Sequence, residues 1–359
     1  MFTHLRAPAS FETRFMKSHP LLYDKLKRQS PGKVGWDDVI HWMWPLFTVR
    51  WAEWRMKHLH LSSCPLTDPV TELPMIYDWP TKPLVLYGFS KHVVECPSYW
   101  PNNVHACGFW FLKASLLHFD SQPTAYPELS AFLDKSKDPP IFIGLSSMGS
   151  MGFIDNPSGL LRVLEGVVKT VNQNMILFTS AYAPLETAVI AAAKQDQKAL
   201  STELIEVNSE LNVNKSINEN VLQRGLQLFG NKLFCFSGTV PYLWLFPKCC
   251  LVIHHGGSGT TAAALHSGVP QVICPFILDQ FYWAERMAWI GVSPPPLKRE
   301  CLIPPGSSET HASLNDLLHA IEEASHPKVR SCAEDYGKRI REEDGVGFAV
   351  ETICRIMSI

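Results

Sequence analysis

Apolar and polar positions alternate in two distinct textures along the chain. From Met1 to about Lys137 the apolar residues are largely aromatic, interleaved with proline and weakly periodic. Two short runs there, Pro83–Tyr87 and Val104–Phe111, read as strands. Trp44, Trp51 and Trp54 stand seven and three positions apart, which places them on one face of a helix. Such a stripe serves as core or as a surface that meets a lipid or another flat apolar partner.

After residues 135–140 (KSKDPP) the texture changes. Unbroken apolar runs at Ile141–Leu145, Met175–Phe178, Lys232–Phe236, Cys250–His254 and Gln271–Cys274 read as strands. Helical spacing falls between them, at Leu160–Val171, Tyr242–Phe246, Gly259–His266 and Gln280–Ile290. Strands that are apolar throughout and separated by helices belong to a parallel sheet covered on both faces. Three more helical patterns, around Leu314–Ala324, Val329–Arg341 and Val346–Ile356, are expected to pack over the sheet or cross back to the first domain. The polar tract 194–220 interrupts this order as a surface insertion or an exposed helix.

Length and composition narrow the function classes. The 359 residues suggest two domains, an N-terminal one at 1–137 and a doubly wound α/β one at 138–359. Lys+Arg and Asp+Glu nearly balance, 32 against 34, and no long basic block occurs, which disfavours nucleic acid as a partner. The longest apolar stretch, Val39–Val49, contains His41 and Pro45 and is far shorter than the roughly 20 residues of a membrane span. Ten cysteines occur without any C-x-x-C pair, mostly inside apolar runs, as expected for buried thiols in a reducing compartment. With no apolar signal core at the start, a cytoplasmic location is expected.

The segment with the most chemistry is Cys249–Ala264 (CCLVIHHGGSGTTAAA), where a buried strand enters a glycine-rich turn that opens a helix. Glycine permits close backbone approach, and the first amides of a helix point outward unpaired at the positive end of its dipole. The arrangement suits phosphate. Gly257-x-Gly259-x-x-Ala262 also fits the dinucleotide fingerprint, with Asp279 22 positions after Gly257. Residues 275–278 separate that acid from its strand, however, and the turn comes late in its domain. A nucleoside-diphosphate-sugar site accounts for more of the residues. His254 at the strand tip and Ser258, Gly259 and Thr260 supply donors for a diphosphate, and Asp279 and Gln280 suit sugar hydroxyls. No D-x-D motif is present, so a metal-held diphosphate is not indicated.

Residues 237–298 resemble the donor half of UDP-sugar glycosyltransferases of the GT-B fold, most closely the sterol 3-beta-glucosyltransferases of plants. VPYLWLFP, HHGGSGTTAA, PFILDQFYWAERM and GVSPPP occur in that family's order and spacing. The resemblance extends upstream through residues 87–97, 108–112 and 140–148 and downstream to Glu343–Val346. It implies a GT-B type α/β fold, with a complete C-terminal Rossmann-like donor domain and an incomplete N-terminal acceptor domain. It implies transfer of glucose, with inversion, from UDP-glucose to the 3-hydroxyl of a sterol. No metal or other cofactor is implied, and a lipid acceptor implies peripheral contact with membranes.

Carried over by position, Ser147 lies near the donor phosphates and Val240 beside the uracil. His254, Gly257, Ser258, Gly259 and Thr260 form the diphosphate loop, and Asp279 and Gln280 hold the glucose. Tyr242 stands where such enzymes often carry histidine, and His255 and Trp283 read as structural. The family's base histidine, which follows an opening strand and a glycine loop, has no evident counterpart; the neighbours of His4 resemble a later part of the first domain. Two alternatives stay open: a non-catalytic UDP-sugar- or lipid-binding fragment, and a glycosyltransferase for another lipid or a phenolic acceptor.

Overall fold

The computed structural model describes residues 11–18, 20, 23–24, 54, 57–60, 84–96, 102–111, 126–205 and 221–357. Trp44 and Trp51 of the tryptophan stripe lie outside that set, as do His4 and residues 206–220 of the polar tract. The chain divides into two units, Met1–Phe111 with Glu342–Ile359, and Leu112–Arg341.

In unit 2, strands β3 (Ile141–Gly144), β4 (Met175–Phe178), β6 (Leu233–Phe236), β7 (Leu251–His254) and β8 (Gln271–Ile273) are parallel. A short antiparallel edge, β5 (Leu226–Leu228), gives the order β5-β6-β4-β3-β7-β8. Successive residues of each strand feed opposite faces. Ile141 and Ile143 enter one core with Met175, Leu177, Leu251 and Ile253, while Phe142, Ile176, Phe234 and Val252 enter the other. The strands lack polar alternation because both faces are covered.

Helix α3 (Pro157–Val171) covers the first face with Leu160, Leu164, Val167 and Val168. Its start is set by Pro157 and by Asn156, whose Oδ1 accepts the Gly159 N–H at 2.9 Å. The neighbouring helices are α4 (Ala183–Ile205), α6 (Tyr242–Leu245), α7 (Ser258–Ser267), α8 (Gln280–Trp289), α9 (Thr310–Ser325) and α10 (Pro327–Arg341). The polar tract thus begins inside α4, which runs to Ile205.

The boundary read at Lys137/Asp138 falls within unit 2. Helix α2 (Pro127–Lys135) precedes it and buries Leu129 and Phe132, the latter with its ring centroid 5.1 Å from that of Phe234. Those two apolar residues, three apart, tie the segment to the sheet.

In unit 1, β1 (Val85–Tyr87) and β2 (Val104–Ala106) pair in parallel. Helix α11 (Gly345–Met357) joins this unit. Ser90 donates to Glu343 at 2.9 Å, and a Cβ on Gly345 would lie 2.6 Å from the Phe109 carbonyl, so only glycine allows this approach. The apolar runs read as longer strands, Pro83–Tyr87 and Val104–Phe111, pair over three residues each.

Leu164 is fully buried between α3 and the sheet. Leu164→Ala is expected to lower the unfolding free energy by roughly 2–5 kcal/mol, read as a shifted urea midpoint.

Candidate functional site

Taken in chain order, the parallel strands of unit 2 run third, second, first, fourth, fifth across the sheet. The connections therefore leave in opposite directions between β3 and β7, and loops beyond the strand ends open a crevice at this reversal. Gly144 pairs with His254, and His254 with Ile273, so the loops after β3, β7 and β8 start side by side.

The loop after β7 is built around two histidines with different roles. His254 is wholly buried. Its Nδ1 accepts the Gly256 N–H at 3.0 Å, and its Nε2 then donates to Gln271 Oε1 at 2.8 Å. Both ring nitrogens are engaged, so His254 has none left for a phosphate oxygen. The expectation that it contacts the diphosphate is corrected: it shapes the turn. Burial drives its pKa down to about 3, with His255 adding to the effect.

The adjacent His255 was read as structural. It is buried, yet its Nδ1 has no hydrogen-bond partner among the described residues. Burial lowers its pKa to about 4, against the opposing field of Asp279. A neutral imidazole beside a carboxylate can present one N–H to a ligand. The doubled histidine carries the signal: at a strand end, neighbouring side chains take opposite sides.

Gly256 adopts φ +86°, and a Cβ there would lie 2.8 Å from Ile273 Cγ2 and 3.0 Å from the Gln280 carbonyl. A Cβ on Gly257 would meet His255 Nε2 at 2.5 Å, whereas one on Gly259 would meet nothing. The turn delivers the chain into α7. Thr261 N–H bonds Gly257 O, and the hydroxyl of Thr261 does so too at 3.0 Å. Ahead of it, the amides of Ser258, Gly259 and Thr260 occupy the first turn, where no intrahelical acceptor exists. Ser258 and Gly259 are exposed, and Thr260 is largely buried.

Ser147 sits across the crevice in the 3₁₀ turn Ser146–Met148, exposed. Val240 is buried beyond β6, after Thr239, whose carbonyl accepts the Tyr126 hydroxyl. Tyr242 stacks on Phe246 and packs edge-on against Phe142, and burial raises its phenol to about 12.

Asp279 and Gln280 part company. Asp279 is half-buried and its Oδ2 accepts the Trp283 indole N–H at 3.1 Å. Gln280 is buried, and its Oε1 accepts the amides of Phe276 (2.8 Å) and Ile277 (3.1 Å). Its amide group points at Met148 Sδ, 3.6 Å away. The side chain expected to hold sugar hydroxyls is occupied in bracing the loop, because the turn after β8 leaves two backbone donors that it alone satisfies.

Across its length the chain is 28% identical over 320 residues to UDP-sugar-dependent glycosyltransferase 52 of Dictyostelium discoideum, covering 88% of this chain and 16% of that one. It is 30% identical over 274 residues to a sterol 3-beta-glucosyltransferase of Arabidopsis thaliana, covering 75% of this chain and 33% of that one. The chain is a homologue of the sterol 3-beta-glucosyltransferases. The profile of the erythromycin biosynthesis protein CIII-like C-terminal domain matches residues 207–325 of this homologue, a range that contains the β7 turn and Asp279. A UDP-glucosyltransferase from Polygonum tinctorium superposes with a TM-score of 0.50 at 12% identity, covering 77% of this chain and 54% of that one. The homologue's fold is of the GT-B type. It spans between 16% and 34% of the length of the first four curated relatives. No helix among its described residues is long and apolar enough to cross a membrane.

Two measurements test this geometry. An unfolded histidine takes its proton near pH 6.5, whereas His254 and His255 stay neutral in the fold until about 3 and 4. The unfolded state thus binds more protons as the pH drops below 6.5, and the stability present above that value is lost toward pH 4. The urea midpoint is expected to fall from pH 7 to 5, with a shallower slope in His254→Asn. Gly256→Ala is expected to destabilise by more than 1 kcal/mol, seen in thermal unfolding, because the conformation and the space both exclude a side chain.

Proposed function

We propose that the chain binds a UDP-sugar in the crevice between β3 and β7 and takes part in glucosyl transfer to a sterol. The observation that carries this reading is the turn His255–Gly257 opening α7, with an unpartnered buried imidazole nitrogen that feels the charge of Asp279. The free amides of Ser258, Gly259 and Thr260 and the positive end of α7 suit a diphosphate, and they also suit the charge that grows on UDP as its bond to the sugar breaks. His255 contributes a neutral donor there. Asp279 accepts sugar hydroxyls, and Val240 lies where the nucleobase is expected. Transfer by this route forms one bond, from the acceptor oxygen to the anomeric carbon, breaks that carbon's bond to UDP and the acceptor's O–H bond, releases UDP and the hydroxyl proton, and inverts the configuration. The names of the relatives support sterol as the acceptor class and glucose as the sugar.

Calorimetric titration with UDP-glucose, UDP and NAD tests the reading. Micromolar binding of UDP-glucose and UDP without NAD is expected; binding of NAD at this turn would overturn it. Asp279→Ala should weaken UDP-glucose while leaving UDP nearly unchanged. Gly259→Val places a side chain where nothing in the fold lies, so stability should hold while affinity for both uridine ligands drops.

A further inference from the structure

We propose that Trp283 is a positioning residue that fixes the preference for a sugar-bearing donor by holding Asp279. The inference rests on the reading of the crevice as a UDP-sugar site and concerns how the sugar is selected there.

The loop after β8 concentrates this task on one carboxylate. Leu278 takes a left-handed conformation, φ +53°, and its side chain is 70% exposed. Asp279, next along, is half-buried. Asp279 stands at the N-cap of α8, where an aspartate ordinarily accepts an amide of its own helix. Here it makes no capping bond, and its backbone is helical, φ −71° and ψ −10°. The carboxylate is instead engaged one turn along by the Trp283 indole N–H. Trp283 is 1% exposed and lies edge-on to Tyr282 at 5.3 Å, so the donor is held rigidly. One carboxylate oxygen is thereby fixed, and Oδ1 has no hydrogen bond among the described residues.

Gln280 does not share the task. Its carbonyl oxygen accepts two amides and its nitrogen faces sulfur. The sugar's hydroxyls are then met at this loop by Asp279 Oδ1, whose direction Trp283 sets. A charge-assisted hydrogen bond of this kind is strong only when its geometry is preorganised.

The experiment compares Trp283→Phe with the unsubstituted chain by calorimetry, using UDP-glucose and UDP as probes. Affinity for UDP is expected to stay within about twofold, while the advantage of UDP-glucose over UDP shrinks about tenfold, the worth of one hydrogen bond to a charged group. A parallel loss for both ligands, or an undiminished advantage, would overturn the inference. Should the variant fail to fold, the indole N–H resonance of Trp283, assigned in the unsubstituted chain, decides. It should move further on adding UDP-glucose than on adding UDP, and equal movement would count against the proposal. If UDP binds but glucose adds nothing in the unsubstituted chain, only this inference fails. If neither ligand binds, the donor-site reading fails and takes the inference with it.

Discussion

The site depends on the close approach of a glycine backbone to a helix start. Gly256 passes so near Gln280 that no side chain fits between them, and Gln280 in turn braces the loop at Phe276–Ile277 and reaches Met148 in the turn after β3. Three loops from three adjacent strands are thus fastened through one side chain and one missing side chain. Without that approach the β7 turn could not hold its amides beside the crevice, and α8 could not begin so close to it. Strand order supplies the crevice, and this contact gives it fixed walls.

The electrostatics follow from burial. Two adjacent imidazoles at a strand end would repel if charged, and desolvation keeps both neutral. One is held at both nitrogens, which fixes its tautomer and the path of the turn. The other keeps a nitrogen to spare. An anion approaching here would meet fixed dipoles. Such preorganisation costs little reorganisation when charge develops on a leaving group.

The parallel sheet was legible because strands buried on both faces leave continuous apolar runs, and Ile141–Gly144, Leu251–His254 and Gln271–Ile273 fall where the pattern puts them. The glycine turn was legible as well, since two glycines ahead of hydroxyl residues signal a helix start open to a ligand. Which histidine does what was not. His254 and His255 look alike in a sequence, and only the partner Gln271, 17 positions on, distinguishes them. The loop-bracing of Gln280 was not legible, because a polar residue beside an aspartate shows nothing of its backbone partners in a sequence. Trp283 was read as core. It is core, yet its indole nitrogen lies one helical turn from Asp279, a spacing visible in advance. Helix α2 precedes the boundary read at Lys137, yet its Leu129 and Phe132 join the core of unit 2.

The chain leaves unit 1 at Phe111 and returns to it at Glu342, so unit 2 is an insertion within unit 1. Everything unit 2 needs lies between Leu112 and Arg341, so its sheet can close as a local event. Unit 1 must wait with its early strands unfinished until α11 is available, because Ser90 and Gly108 find their neighbours only at Glu343 and Gly345. A chain cut short before Glu342 would carry a complete unit 2 attached to an unclosed unit 1. Quality control acting on such chains would find its exposed surface in the first unit.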